Sequence, residues 1–289
     1  MSEVLFTVSV AYFLKRLGVF SEEHSRVLVN YVLYFALPAL SFKTAYGLGL
    51  SWDVAMVTTG AWAIITLSLA LAYIAGKLIK LEQSNLRTLM MISAFGNTAF
   101  LGYPYSFAYF GEHGLKYAVI YDSMGSFLAV SSVGLLILKG GLDMRSLILF
   151  PPFLGLVFGF FLKGYQLPAF LWSFIDFVVS SLLPVVLFSL GLSLKFSHIA
   201  RDRKLLVLAL CIKMLAAPLI ALLVLKLIPM NPTAYKVSVL ESAMPAMITA
   251  SVLVLKYGLN HNLAFAGAGI GMVISFFSIP LWVRILENL

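Results

Sequence analysis

Runs of about 20 apolar residues recur from one end of the chain to the other, and each is long enough, at about 1.5 Å per residue, to cross a hydrocarbon layer about 30 Å thick. The polar and charged clusters between them predict ten helices, at 3–17, 25–45, 52–76, 87–110, 115–138, 147–163, 168–194, 204–227, 232–256 and 262–286. The gaps are short, and none offers the length of a separate domain. Val4–Leu14 is brief for a span, so Lys15 and Arg16 are expected to reach along it to the interface. It lacks a basic leader and a small-residue cleavage pattern, and so reads as a retained helix rather than a signal peptide.

Two of the predicted helices carry residues that a lipid-facing helix avoids. GNTAFLGYPYSFAYFG (Gly96–Gly111) sets Asn97, Thr98, Gly102 and Pro104 in the middle of the fourth, and ESAMPAMITASVLVL (Glu241–Leu255) sets Ser242, Pro245 and Thr249 in the middle of the ninth. Both interruptions sit near the midplane. Asn97 lies about 15 Å from one face, counted from Arg87, and Pro245 about 20 Å from the other, counted from Pro232. Proline removes a backbone donor and displaces a carbonyl, and groups freed in this way survive at membrane depth only against protein or a water-filled cavity. The breaks therefore predict a cavity, with half-helix N-termini that favour an anionic group. Asn97, Thr98, Ser242 and Thr249 are placed to add side-chain hydrogen bonds.

The breaks are also related by an internal repeat. FLK at Phe13–Lys15 returns at Phe161–Lys163, the Leu-Pro at Pro38 returns at Pro184, and the aromatic-flanked Gly111 returns as Gly258, all at nearly the same separation. That separation carries 97–104 onto 244–251. A unit of five spans is odd, so the second copy, 142–289, enters the membrane upside down relative to the first, 1–141, as in secondary transporters. Lysine and arginine set the orientation. Lys15, Arg16, Arg26, Lys77, Lys80, Arg87, Lys139, Arg145, Lys195, Arg201, Arg203, Lys204 and Lys256 fall at odd-numbered connections. Only Lys43, Lys116, Lys163, Lys226, Lys236 and Arg284 fall at the others, which predicts cytoplasmic odd loops and both termini outside.

Composition supports this picture. Of the residues 61% are hydrophobic and 11% charged, and the mean hydropathy is +0.99. The net charge of +8 is scattered over helix ends rather than gathered into a nucleic-acid surface. Cys211 is the only cysteine; it falls in an apolar run and reads as a small buried hydrophobe. His24, His113, His198 and His261 lie in separate connections and predict no metal site. No GxxxxGK[ST] loop, HExxH, GxSxG or CxxC occurs, so neither an enzyme nor a cofactor is expected, and energy must come from a gradient or the membrane potential. The GxxxG pairs Gly155/Gly159 and Gly267/Gly271 read as helix-packing surfaces, and Met230, Met244 and Met247 as adaptable apolar packing.

Three ionisable residues, Asp122, Lys213 and Glu241, lie far from any helix end, where a charge costs about 2.5–3.5 kcal/mol even on the lenient insertion scale. Lys213 and Glu241 sit at matching depths and are expected to pair, either as a structural lock or with Glu241 or Asp122 carrying a coupling proton. Asp122 shows no partner in the sequence. Asp53 and Asp176 lie near helix ends, where solvent accounts for them.

NYVLYFALPALSF, FGNTAFLGYPYSFAYFGEHGLKYAVIYD, LLPVVLFSLGLSL and LESAMPAMITASVLVLKYG occur in this order over nearly the whole chain, and together they resemble the auxin efflux carrier family, which includes the plant PIN carriers and many prokaryotic members. The resemblance implies an all-α fold of ten transmembrane helices in two inverted five-helix repeats, similar to bile-acid symporters and NhaA-type antiporters. Helices 1, 2, 6 and 7 (3–45 and 147–194) would form a scaffold, dimeric in such proteins. Helices 3–5 and 8–10 (52–138 and 204–286) would form a mobile transport domain with broken, crossing helices 4 and 9. It further implies an elevator-like secondary transporter of small organic anions, directed outward across a prokaryotic plasma membrane, with H+ or Na+ as coupling ion. The family's fourth-helix motif falls on Asn97, Thr98, Gly102 and Pro104, with Tyr103 inside it; the ninth-helix segment contributes Ser242, Met244, Pro245, Thr249 and Ala250. Ala250 stands where plant carriers have a second proline, and Thr249 where many prokaryotic members have Asn, so auxin itself is not the expected substrate. A cation/proton antiporter using Asp122 and Glu241, and a non-transporting membrane receptor, are the competing expectations.

Overall fold

The computed structural model describes residues 2–138, 149–193 and 203–288. Lys139, Arg145, Lys195, His198 and Arg201, the start of the predicted sixth helix and the division between 141 and 142 lie outside them. Among the described residues the regular structure is all helix, apart from one antiparallel bridge between Gly96 and Ala246. Six helices are long and apolar enough to span a membrane by length and composition. This is an all-helical integral membrane protein.

In chain order, α1 is Ser2–Arg16 and α2 runs from Glu22 to Leu48 through a π turn at Val32–Ala36. Helix α3 is Trp52–Leu78, started by the Ser51 side chain accepting from the Val54 amide, and α4 is the short Gln83–Ala94. Thr98–Ile137 forms a helical stretch in which Gly111, at φ 64° and ψ −159°, interrupts the helix; we call its parts α5 (98–110) and α6 (112–137). The interruption is a reversal. Thr98 is hydrogen-bonded to Asp122, 24 residues on, whereas a straight helix would hold them about 36 Å apart. A non-glycine residue reaches a positive φ like this only with strain.

The second half continues with α7 (Pro151–Leu162), α8 (Ala169–Ser193), α9 (Arg203–Leu225, with a π turn at Ile212–Ala216), α10 (Pro232–Ser242), α11 (Ile248–Lys256) and α12 (His261–Glu287). At about 1.5 Å per residue α4 and α10 rise about 18 and 16 Å, so each stops about halfway through a layer about 30 Å thick.

Proline placement explains three of the π turns. A proline ring collides with the carbonyl four residues before it. For Pro38, Pro104 and Pro218 that carbonyl belongs to Tyr34, Phe100 or Met214, each inside a π turn, at Val32–Ala36, Thr98–Gly102 and Ile212–Ala216. The widened turn makes room for the ring. Carbonyls in π turns find other donors: the Trp282 indole donates to Met214 O at 3.0 Å, and the Trp62 indole to Met124 O at 2.9 Å, in the π turn Tyr121–Ser126 of α6.

Gly155 and Gly159 carry out the packing expected of them. A Cβ at either position would meet backbone of α2, at Pro38 O and Phe42 O, so α7 lies against α2 closer than any other residue would allow. Cys211 departs from its reading: its small side chain is exposed on α9 rather than buried in the interior. The buried residues form two clusters. One includes Leu101, Tyr103, Ala243 and Met244, the other Ala94, Phe95, Ala246 and Met247, so the two broken segments lie where the clusters adjoin.

Candidate functional site

Helix α4 ends at Ala94, and Phe95 turns extended at φ −95° and ψ 116°. Helix α10 ends at Ser242, and the chain is extended again at Met247, with φ −68° and ψ 130°. These two non-helical stretches meet back to back. The Asn97 amide donates to Pro245 O at 2.8 Å, and the Met247 amide donates to Phe95 O at 2.9 Å. Each break thereby satisfies backbone groups that the other has freed, as a break at membrane depth requires.

Beyond this exchange two helices begin, α5 and α11, and neither Asn97 nor Met247 caps its helix with a side chain. The Asn97 carbonyl accepts from Leu101 and Gly102, and the Met247 carbonyl from Ser251. The amides of residues 98–100 and 248–250 have no acceptor within their helices. The Asn97 carboxamide, only 3% exposed, has no hydrogen-bond partner among the described residues. Two N-terminal partial positive charges and a free amide therefore converge at one buried point.

The three deep charges surround this point. Asp122 on α6, 5% exposed, accepts from Thr98 Oγ1 on one oxygen and from Tyr103 OH on the other at 2.9 Å. The carboxylate that showed no partner in the sequence thus fixes the first turns of α5. Glu241, 0% exposed, meets α5 at Gly102 and Ser106. Its Oε1 accepts from Ser106 Oγ at 2.8 Å, its Oε2 has no donor, and a Cβ at Gly102 would fall on the carboxylate.

Lys213 and Glu241 interact electrostatically, as expected, but not through a direct ion pair among the described residues: the Lys213 Nζ donates to the Ser242 carbonyl at 2.6 Å. The reason lies in the end of α10. The carbonyls of Val239, Leu240 and Glu241 are taken by the amides of Ala243 and Met244, which leaves Ser242 O as the next one to satisfy.

Of the other expected site residues, Gly102, Tyr103, Pro104, Met244, Pro245 and Ala250 are buried, whereas Thr249 is exposed. Ser242 Oγ donates to Val239 O within its own helix at 2.6 Å, so it is the carbonyl of this residue, not its hydroxyl, that reaches out of the helix, to Lys213. Ser106 and Gly96 were not singled out from the sequence. Ser106 lies one turn after Gly102 and so shares its face, which was the available signal.

A cavity of about 650 Å³ opens between α1, α2 and α8 on one side and α5 and α6 on the other. Its wall is mainly apolar, with charged Glu3, Lys43, Glu112 and Lys116, and it approaches the breaks through Pro104. Lys43 is paired with Asp176 at 2.7 Å, so Asp176 is held by a partner and not by solvent alone. Asp53 likewise accepts from Tyr117 OH at 3.1 Å and from the Asn231 amide at 2.9 Å.

A family model described as membrane transport protein matches residues 1–143 and 140–283. An uncharacterized transporter of Methanothermobacter thermautotrophicus is 29% identical over 98% of this chain and 96% of its own length. An uncharacterized transporter of Methanocaldococcus jannaschii is 31% identical over 99% of this chain and 97% of its own.

Proposed function

We propose that this chain, which belongs to the membrane transport protein family of auxin efflux carriers, is a secondary transporter of small organic anions whose substrate binds where the two broken helices meet. The observation that carries the proposal is the convergence of two uncapped helix N-termini and the unpartnered Asn97 carboxamide at one buried point. These are donors without acceptors, arranged around a space that favours negative charge. Lys213 offsets the partial negative charge at the end of α10, so the positive ends prevail.

The wider architecture fits the same reading. Residues 1–141 and 142–289 form two inverted five-helix repeats, and α4/α5 and α10/α11 are the broken, crossing fourth and ninth spans. The cavity lies between the helices assigned to the scaffold and those assigned to the transport domain, where an elevator movement would carry substrate past a fixed wall. Efflux across a prokaryotic plasma membrane, driven by the membrane potential or a proton gradient, and a homodimer through the scaffold helices complete the proposal.

Glu241 gives a second reading its support. A buried carboxylate with one oxygen lacking a donor is also what a cation/proton antiporter needs, with Asp122 as its companion.

Flux of organic anions into proteoliposomes down an imposed gradient separates these. Asn97→Ala is expected to reduce flux about 10- to 100-fold, the loss of one hydrogen bond to a charged group, while Glu241→Gln retains it. Loss confined to Asp122→Asn and Glu241→Gln would select the antiporter. Saturable binding without flux would select a receptor.

A further inference from the structure

Lys213 is 3% exposed and sits in the π turn Ile212–Ala216 of α9, in a chain where π turns accompany local departures from regular helix. An ammonium has three N–H donors, and this one has a single acceptor among the described residues, Ser242 O. Its tip rests against Gly96, where a Cβ would come 3.0 Å from Cε and 3.1 Å from Nζ. The absence of a side chain at Gly96 leaves the space the ammonium fills.

The surroundings of that space are oxygen and negative charge. The end of α10 offers the one carbonyl that its own backbone leaves unbonded, with the partial negative charge of a helix C-terminus. Glu241, the preceding residue, brings a fully buried carboxylate with an unpartnered oxygen. Freed carbonyls at a half-helix C-terminus, beside carboxylate and away from water, are how a membrane carrier coordinates a free monovalent cation.

The geometry points to Lys213 as a tethered cation: its ammonium occupies the seat at the end of α10 that a free Na+ or K+ would otherwise take, so the protein moves its anion without a metal-ion partner. The consequence for coupling rests on the transport function proposed above, whereas the occupied seat does not. Glycine at 96 and the unbonded Ser242 carbonyl belong to the same device, one making room for the ammonium and the other holding it.

The test is chemical rescue of the purified, detergent-solubilised full chain. Lys213→Ala deletes the atoms from Cγ to Nζ, which together are the size of propylammonium. The variant is expected to unfold at a lower temperature than the unaltered protein. Propylammonium should raise its Tm most of the way back, with the logarithmic concentration dependence of a bound ligand, and leave the unaltered protein unmoved. Tetramethylammonium, too bulky for the seat, should do nothing at equal ionic strength. Lys213→Met, which fills the space without charge, should not respond to propylammonium. Absence of rescue, equal rescue by tetramethylammonium, or rescue of Lys213→Met would overturn the inference.

If Lys213→Ala does not accumulate, the unaltered protein decides. Anion flux in proteoliposomes should be unchanged when Na+ and K+ are replaced by N-methylglucamine on both sides, and a tenfold or greater loss would overturn the inference. Absence of anion flux in every medium would instead overturn the transport function, and the thermal rescue would still judge the seat.

Discussion

Gly102→Ala is expected to leave little folded protein in the membrane, and Glu241→Ala in the same chain to restore it. A Cβ at residue 102 falls on the Glu241 carboxylate. A glutamate tip is flexible in general, but this one is fully buried and held by Ser106 at 2.8 Å, so moving it breaks a hydrogen bond and pushes into packed neighbours. Overpacking of this kind costs about 1–3 kcal/mol, and the lost bond to a charged group about 1.5–3 more. Shortening Glu241 to alanine removes both the obstacle and a carboxylate that is only half satisfied, and Ser106 can turn its hydroxyl to a carbonyl of the preceding turn. The pair should therefore couple by about 1–3 kcal/mol in a double-mutant cycle of Tm-derived stabilities. Additive effects would place the carboxylate somewhere other than against Gly102.

Asp122→Ala should destabilise the protein by about 2–6 kcal/mol, because it strands two buried hydroxyls, Thr98 Oγ1 and Tyr103 OH, at about 1–3 kcal/mol each. Asp122→Asn should be far milder. Its amide keeps one acceptor for one hydroxyl and offers a donor to the other, which rotates to accept. Thermal unfolding of the two purified variants checks this, and an equal loss in both would mean that the negative charge at Asp122, rather than its hydrogen bonds, fixes the start of α5.

Much of this site was legible in the sequence. Pro104, Gly102 and Asn97 in one apolar run, and Pro245 in another, announce breaks at matching depth, because hydrocarbon tolerates freed backbone groups in few places. The bonds that join the breaks were not legible, since those at Asn97 and Met247 use backbone atoms that every residue carries. Asp122 stands out in the sequence as costly, but its link to Thr98 depends on Gly111 acting as a reversal that folds α6 back along α5. Lys213 and Glu241 share a depth and interact electrostatically, as expected, but the hydrogen bond of the ammonium goes to a different atom. Depth is one coordinate of a helical residue and azimuth is the other. A π turn adds one residue, which rotates the remainder of the helix by about 100°. Lys213 lies in such a turn, and it reaches the carbonyl of Ser242 instead of the carboxylate beside it. Cys211 differs from expectation for a related reason: hydropathy does not distinguish a face toward lipid from a face toward protein.

The reciprocal backbone bonds between residues 95–97 and 245–247 bear on mechanics as well as on solvation. They act as a rivet through two levers. Neither broken span can slide along the other without shearing that fastening, so a displacement begun in one is handed to the other at full amplitude.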